Sequence, residues 1–110
     1  MRKAIVVKAG SGNVFADVGV AEPELALAKA QLAGRIDEVI RARGLKQVEV
    51  AEILGVDQGK VSALVRGRLA GFSTERLFRF LNALGHDIKI VVTEKPRSRK
   101  RSRLTVTSSG

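Results

Sequence analysis

Cysteine is absent from the 110-residue sequence, as are tryptophan and tyrosine, and histidine occurs once, at His86. Without cysteine there is no disulfide, no thiolate zinc finger and no cysteine nucleophile. A single imidazole also excludes a histidine-rich metal site, and His86 reads as a residue beside a helix end. The four aromatic residues are all phenylalanine. The core must therefore be aliphatic, with Phe72, Phe78 and Phe80 expected in core or dimer packing rather than as stacking platforms. Long apolar runs are missing too. In the opening MRKAIVVK the apolar run is four residues long before Lys8 closes it, well short of a signal-peptide core. No stretch approaches the roughly 18 apolar residues of a membrane helix, so a soluble, cytoplasmic protein without membrane partners is expected. Acidic residues are scarce: 11 stand against 20 lysines and arginines, for a formal net charge of +9. That excess points toward nucleic acid or another anionic surface, and says nothing about fold.

The length suits one small domain with tails and leaves no room for a large enzyme scaffold. Charge is unevenly distributed along it. Residues 95–110 hold six basic residues and no acidic one, while residues 1–94 hold 14 basic and 11 acidic. Three regions follow. Residues 1–21 are an N-terminal extension, with a short strand and a glycine-rich loop (AGSGNVFADVGVA). Residues 22–93 carry the fold. Residues 94–110, rich in serine and arginine, cannot bury enough apolar surface to order themselves and read as a disordered basic tail. The loop Gly10-Ser11-Gly12-Asn13 lacks the Gly-Lys-Ser/Thr that a phosphate-binding loop requires and is set aside.

Helical signals dominate the central region. Over 23–43, Leu25, Ala28, Leu32, Ile36, Val39 and Ile40 recur at spacings of three and four, giving one apolar stripe. Pro23 suits a first helical turn and Gly44 a left-handed cap, while Arg35, Glu38 and Arg41 occupy the opposite face. Ser73 can cap a further helix, with Phe72 and Leu77 as a hydrophobic staple and Leu77, Phe80, Leu81 and Leu84 as the buried stripe. Gly85 ends that helix. Residues 86–92 then alternate into a β-branched run and read as one strand. A lone strand leaves its backbone groups unsatisfied, so it needs either Ala4–Val7 or its counterpart in a second chain.

Between these helices lies QVEVAEILGVDQGKVSALVR, residues 47–66. Val50, Leu54 and Val56 face one way, and Val61 and Leu64 continue the apolar pattern. Ala51 is small where two short helices would approach most closely, and Gly55 supplies the positive φ of a sharp change in direction. This is the helix-turn-helix pattern, flanked on both sides by amphipathic helices. The expected fold class is all-α: a small helical bundle with a helix-turn-helix, plus one C-terminal β-strand serving dimerisation.

The stretch LKQVEVAEILGVDQGKVSALVRGRL followed by FSTERLFRFLNALG resembles the Xre/Cro-type family of helix-turn-helix regulators. More narrowly, GSGNVFADVGV ahead of a long first helix and QGKVSALVRGRL looks like a HigA-type antitoxin subfamily. That resemblance implies a lambda-repressor-like DNA-binding domain of five helices or fewer, a dimer, and repression of an operon encoding a RelE/HigB-like, mRNA-cleaving toxin. Two positions depart from the family pattern. Lys46 stands where a hydroxyl residue often caps the second helix. The Ser-Gln-Pro that often opens the recognition helix reads Asp57-Gln58-Gly59, which keeps a cap in Asp57 but alters the base-reading turn.

The residues themselves indicate how DNA would be held. A helix starting at Gln58 would present Gln58, Gly59, Ser62 and Ala63 outward. Gln58 can bind adenine in bidentate fashion in the major groove, and Lys60 can reach a guanine edge or a phosphate. Gln47, at the start of the preceding helix, is expected to contact a phosphate, and Arg66 and Arg68 to clamp phosphates at the far end. Gly59 carries no side chain, so one copy reads few bases; a homodimer with its two copies about 34 Å apart on a palindromic operator would compensate.

No Ser–His–Asp set and no metal-ligand cluster is suggested, and the carboxylates are scattered among basic residues. A binder is expected, not an enzyme, with neither cofactor nor metal. Two functions remain open: the antitoxin of a type II toxin–antitoxin pair that also represses its own operon, or a stand-alone phage-type or housekeeping regulator with no toxin partner. Either would be nucleoid-associated through its DNA.

Overall fold

The computed structural model describes residues 4–7, as backbone, and residues 21–107 apart from 102. Among them are four helices and two short strands, in the order β1 (Ala4–Val7), α1 (Glu22–Arg43), α2 (Gln47–Leu54), α3 (Gln58–Val65), α4 (Thr74–Ala83) and β2 (Ile90–Thr93). The expected helical bundle is present. The glycine-rich stretch read as a loop lies outside the described residues but for Ala21. No described helix is long and apolar enough to cross a membrane.

Helix α1 follows from local chemistry at both ends. Pro23 sits in its first turn, where a missing N–H costs nothing, and Glu22 and Glu24 there favour the positive end of the helix dipole. Arg41 and Arg43 occupy the last turn, and Gly44 leaves the helix at φ 62°, its N–H donating to the Arg41 carbonyl at 3.1 Å. The inward face buries Ala28, Leu32, Ala33, Ile36 and Ile40, with Leu25 and Val39 half-buried beside them. On the outward face Arg35 pairs with Glu38 at 2.7 Å and Arg41 with Asp37 at 2.8 Å.

Against that inward face rest α4, most extensively, and α3, while α2 packs on α3 and α4. Helix α2 contributes Val50 and Ala51, and α3 contributes Val61 and Leu64. Helix α4 contributes Leu77, Phe78, Phe80 and Leu81, joined by Phe72 before it and Leu84 after it. Ser73 caps α4, its Oγ accepting from the Arg76 N–H at 3.1 Å, and the staple partners Phe72 and Leu77 are both buried. The C-terminal ends of α1 and α4 are tied by the Arg43 guanidinium, which donates to the Leu84 carbonyl at 2.6 Å.

Strand β2 pairs with β1 antiparallel, from Ala4 opposite Thr93 to Val7 opposite Ile90. Its partner within the chain is therefore the Ala4–Val7 segment. The strand, Ile90–Thr93, starts four residues later than the 86–92 reading and ends one residue later. The residues before it serve α4 instead: the His86 N–H donates to the Leu81 carbonyl at 2.9 Å, and Asn82 Nδ2 donates to the His86 carbonyl at 2.8 Å. The described part of the basic tail forms neither helix nor strand. It still touches the body. Leu104 and Val106 lie half-buried against the core, and the Leu104 N–H donates to the Glu24 carboxylate at 3.1 Å.

Two glycine substitutions should move stability in opposite directions. Gly55 is at φ 69°, so Gly55→Ala should destabilise by about 1–2 kcal/mol, the cost of a left-handed β-carbon. Gly34 lies inside α1 with open space where a Cβ would stand, so Gly34→Ala should stabilise by about 0.5–1 kcal/mol. Urea unfolding midpoints at constant m-value measure both.

Candidate nucleic-acid interface

Helices α2 and α3 meet through the turn Gly55–Asp57. Gly55 adopts φ 69°, ψ 36°, and the Val56 N–H turns back to the Ala51 carbonyl at 3.0 Å. Ala51 is buried at this crossing, where its single methyl lets the two helices close together. At the start of α2, Lys46 has no acceptor to offer the helix. Half of a capping box remains, with the Glu49 carboxylate accepting from the Lys46 N–H at 2.9 Å. Helix α3 has a side-chain cap at its start: the Asp57 carboxylate accepts from the Lys60 N–H at 2.9 Å.

Gly59 fits closely beside that cap. A Cβ there would lie 3.2 Å from Asp57 Oδ1, so a side chain would press on the capping carboxylate. At the other end, Arg66 terminates α3 and Gly67 turns at φ 76°, with the Arg68 N–H donating to the Ala63 carbonyl at 2.9 Å.

Gln58, Gly59 and Lys60 are exposed in the first turn of α3, and Gln47 is exposed in the first position of α2. Arg66 and Arg68 are exposed beyond the far end, about 12 Å away along an eight-residue helix. Ser62 and Ala63 are only half exposed, Ala63 resting against the core. Their expected outward presentation is thus partial, because α3 is short and lies against both α1 and α2. An open groove of about 710 Å³ runs past the α3 N-terminus, and Gln58 and Lys60 line it together with Val48, Glu52 and Arg76. Gln47, Gly59, Ser62, Ala63, Arg66 and Arg68 do not line it.

Arg76 escapes a reading of the sequence alone. It belongs to the first turn of α4, yet its guanidinium lies 5.4 Å from the Phe72 ring centroid and 5.6 Å from that of Phe80. The two rings meet edge to face at 6.0 Å. Lys60 Nζ stands 5.8 Å from the Phe72 centroid, so cations from α3 and α4 share one ring. The sequence held one clue. A cation in a helix's first turn opposes the dipole by about 0.3–1 kcal/mol, and such a residue calls for another reason to be there.

A short helix braced across α1 by a second, with a glycine turn between them and an exposed first turn, is a helix-turn-helix unit. A family model described as a helix-turn-helix domain matches residues 14–93. A solved structure named "Putative XRE Family Transcriptional Regulator" is 43% identical, with a TM-score of 0.77 over 81% of this chain and 100% of that one. No curated protein matches the sequence. The chain belongs to the helix-turn-helix family, in its XRE type.

The cap and the glycine beside it should be coupled. Asp57→Ala should cost about 1 kcal/mol, and Asp57→Ser much less, since serine retains an acceptor. Gly59→Ala should be less favourable with Asp57 present than in the Asp57→Ala background. A double-mutant cycle by thermal unfolding reads the difference; additive values would remove the steric link.

Proposed function

We propose that this chain is a sequence-specific DNA-binding repressor, the antitoxin of a type II pair whose toxin is a RelE/HigB-like mRNA-cleaving nuclease, and that it represses its own operon. It acts as a binder, with no catalytic step. The observation that carries the DNA reading is the exposed first turn of α3 on a helix-turn-helix frame, with Gln58 and Lys60 facing one open groove. The XRE-type relative supports the same reading.

In this reading α3 lies in the major groove. Gln58 reads an adenine edge, Lys60 reaches a guanine or a phosphate, and Gln47, Arg66 and Arg68 hold phosphates on either side. Gly59, Ser62 and Ala63 complete the surface as small groups that admit the backbone or a thymine methyl. The toxin part of the proposal draws on the likeness of the GSGNVFADVGV preamble and the long first helix to HigA-type antitoxins.

A homodimer on a palindromic site follows from how little one α3 turn can read. Among the described residues, strands β1 and β2 pair only with each other, and Val91 of β2 is half-exposed. Two-stranded ribbons are marginal alone, and a second copy extending the sheet would cover an edge of it. The six basic residues of the tail add salt-dependent attraction to any duplex.

Two tests bear on this. Gln58→Ala should reduce the preference for the DNA upstream of the protein's own reading frame by about 1–3 kcal/mol. Arg66→Ala and Arg68→Ala should instead weaken all duplexes alike, each flattening the slope of log K against log salt by about 0.9. Gel retardation on upstream and mixed-sequence fragments separates the two. Co-purification with the product of the adjacent gene tests the antitoxin role, and a chain that retards its promoter yet never captures that product is a stand-alone regulator. A monomer mass independent of concentration would count against the dimer.

A further inference from the structure

The roles proposed above leave the two cations that line the groove, Lys60 and Arg76, only half employed. Arg76 and Lys60 come from different helices, yet both approach the Phe72 ring, at 5.4 and 5.8 Å from its centroid. The second aromatic, Phe80, lies 5.6 Å from the same guanidinium, and both rings are buried. Contacts of this kind narrow the orientations open to a flexible arginine through the attraction of a cation to a ring face. Backbone geometry restricts it further, since the Arg76 N–H is fixed by the Ser73 cap at 3.1 Å.

Beyond its two rings, the guanidinium joins none of the ion pairs among the described residues. Among the described residues the ion pairs are Arg35–Glu38 and Arg41–Asp37, both on α1, and Arg43 donates to the Leu84 carbonyl. Arg76 takes part in none of these. Two like charges brought to one ring and to one groove that also receives Gln58 favour an anion in that groove. The nearby carboxylates limit where it can lie. Asp57 is occupied in capping α3, and Glu52 lines the groove too, so its charge disfavours an anion on the α2 side. The position left is on the α4 side, next to the first turn of α3.

We propose that Arg76 and Lys60, both held against Phe72, form a clamp for a single backbone phosphate of duplex DNA, adjacent to the base that Gln58 reads. The clamp rests on the DNA-binding reading of α3 and adds to it a residue from α4. Arginine suits this place better than lysine, because its planar donors can present two N–H groups to phosphate oxygens. A phosphate contact fixes the register of α3 in the groove without selecting a sequence.

The test is fluorescence anisotropy of the full chain, with an upstream duplex and a mixed-sequence duplex, from 50 to 200 mM salt. For Arg76→Ala the slope of log K against log salt should flatten by about 0.9, so the wild-type advantage should shrink about 3.5-fold across that range. The loss should be equal on both duplexes, and Arg76→Lys should restore the slope. An unchanged slope in Arg76→Ala, with or without a lower melting temperature, reduces Arg76 to a packing residue and overturns the clamp while DNA binding stands. A loss confined to the upstream duplex overturns it as well, because it means a base contact. A wild-type chain with no salt-dependent affinity for either duplex overturns the DNA reading together with the clamp.

Discussion

The left-handed turn at Gly55 is the constraint on which the rest of the molecule depends. It reverses the chain between α2 and α3 within three residues, so that Val50 and Ala51 on one helix and Val61 and Leu64 on the next enter the same core. That core is closed by α1, through Leu32, Ile36 and Ile40, and by α4, through Leu77, Phe80 and Leu81. With both flanking helices fixed, α3 has a single way to lie. Its apolar face is committed inward, and its first turn is left outside with Asp57 as cap. Position and exposure of the candidate recognition surface are therefore by-products of burying an aliphatic core.

Charge is organised separately from packing. The +9 of the whole chain is concentrated in the tail, whereas residues 45–68 hold four basic and three acidic residues. Several arginines of the body are committed to local work: Arg35 and Arg41 pair along α1, and Arg43 joins two helix ends. Surface pairs of that kind contribute only a few tenths of a kcal/mol each, about 0.2–0.5, so their main effect is to remove those cations from the candidate interface. The groups left near the α3 turn are few and individually held. Such a distribution suits positional recognition, with the tail adding attraction that any duplex would feel.

What could be read in advance was whatever local chemistry determines. The end of α1 at Gly44, the turn at Gly55, the Asp57 and Ser73 caps and the Phe72–Leu77 staple each depend on a few neighbouring residues, and each has its own chemical signature. Features set by distant partners were harder. The alternation from His86 onward looks like a longer strand, but the strand begins at Ile90, and His86 is bonded back to Leu81 and Asn82 of α4. Leu104 and Val106 are two isolated apolar residues in a basic stretch, and only the contact with the core and with Glu24, 80 positions away, draws that segment onto the body. Ala63 reads as outward from the helix wheel and is half covered because two other helices crowd α3. Arg76 is a surface arginine by sequence; its relation to Lys60 exists only once α3 and α4 share Phe72.

The central claim is that a few placed side chains on α3, rather than bulk charge, decide which DNA is bound. The most direct measurement is the ratio of dissociation constants for the upstream DNA and a mixed-sequence duplex of equal length, at physiological salt. Specific regulators prefer their sites by about a thousandfold or more, and a ratio of that order is the predicted result. A ratio near one would contradict the account, leaving a basic protein that binds any duplex through its charge.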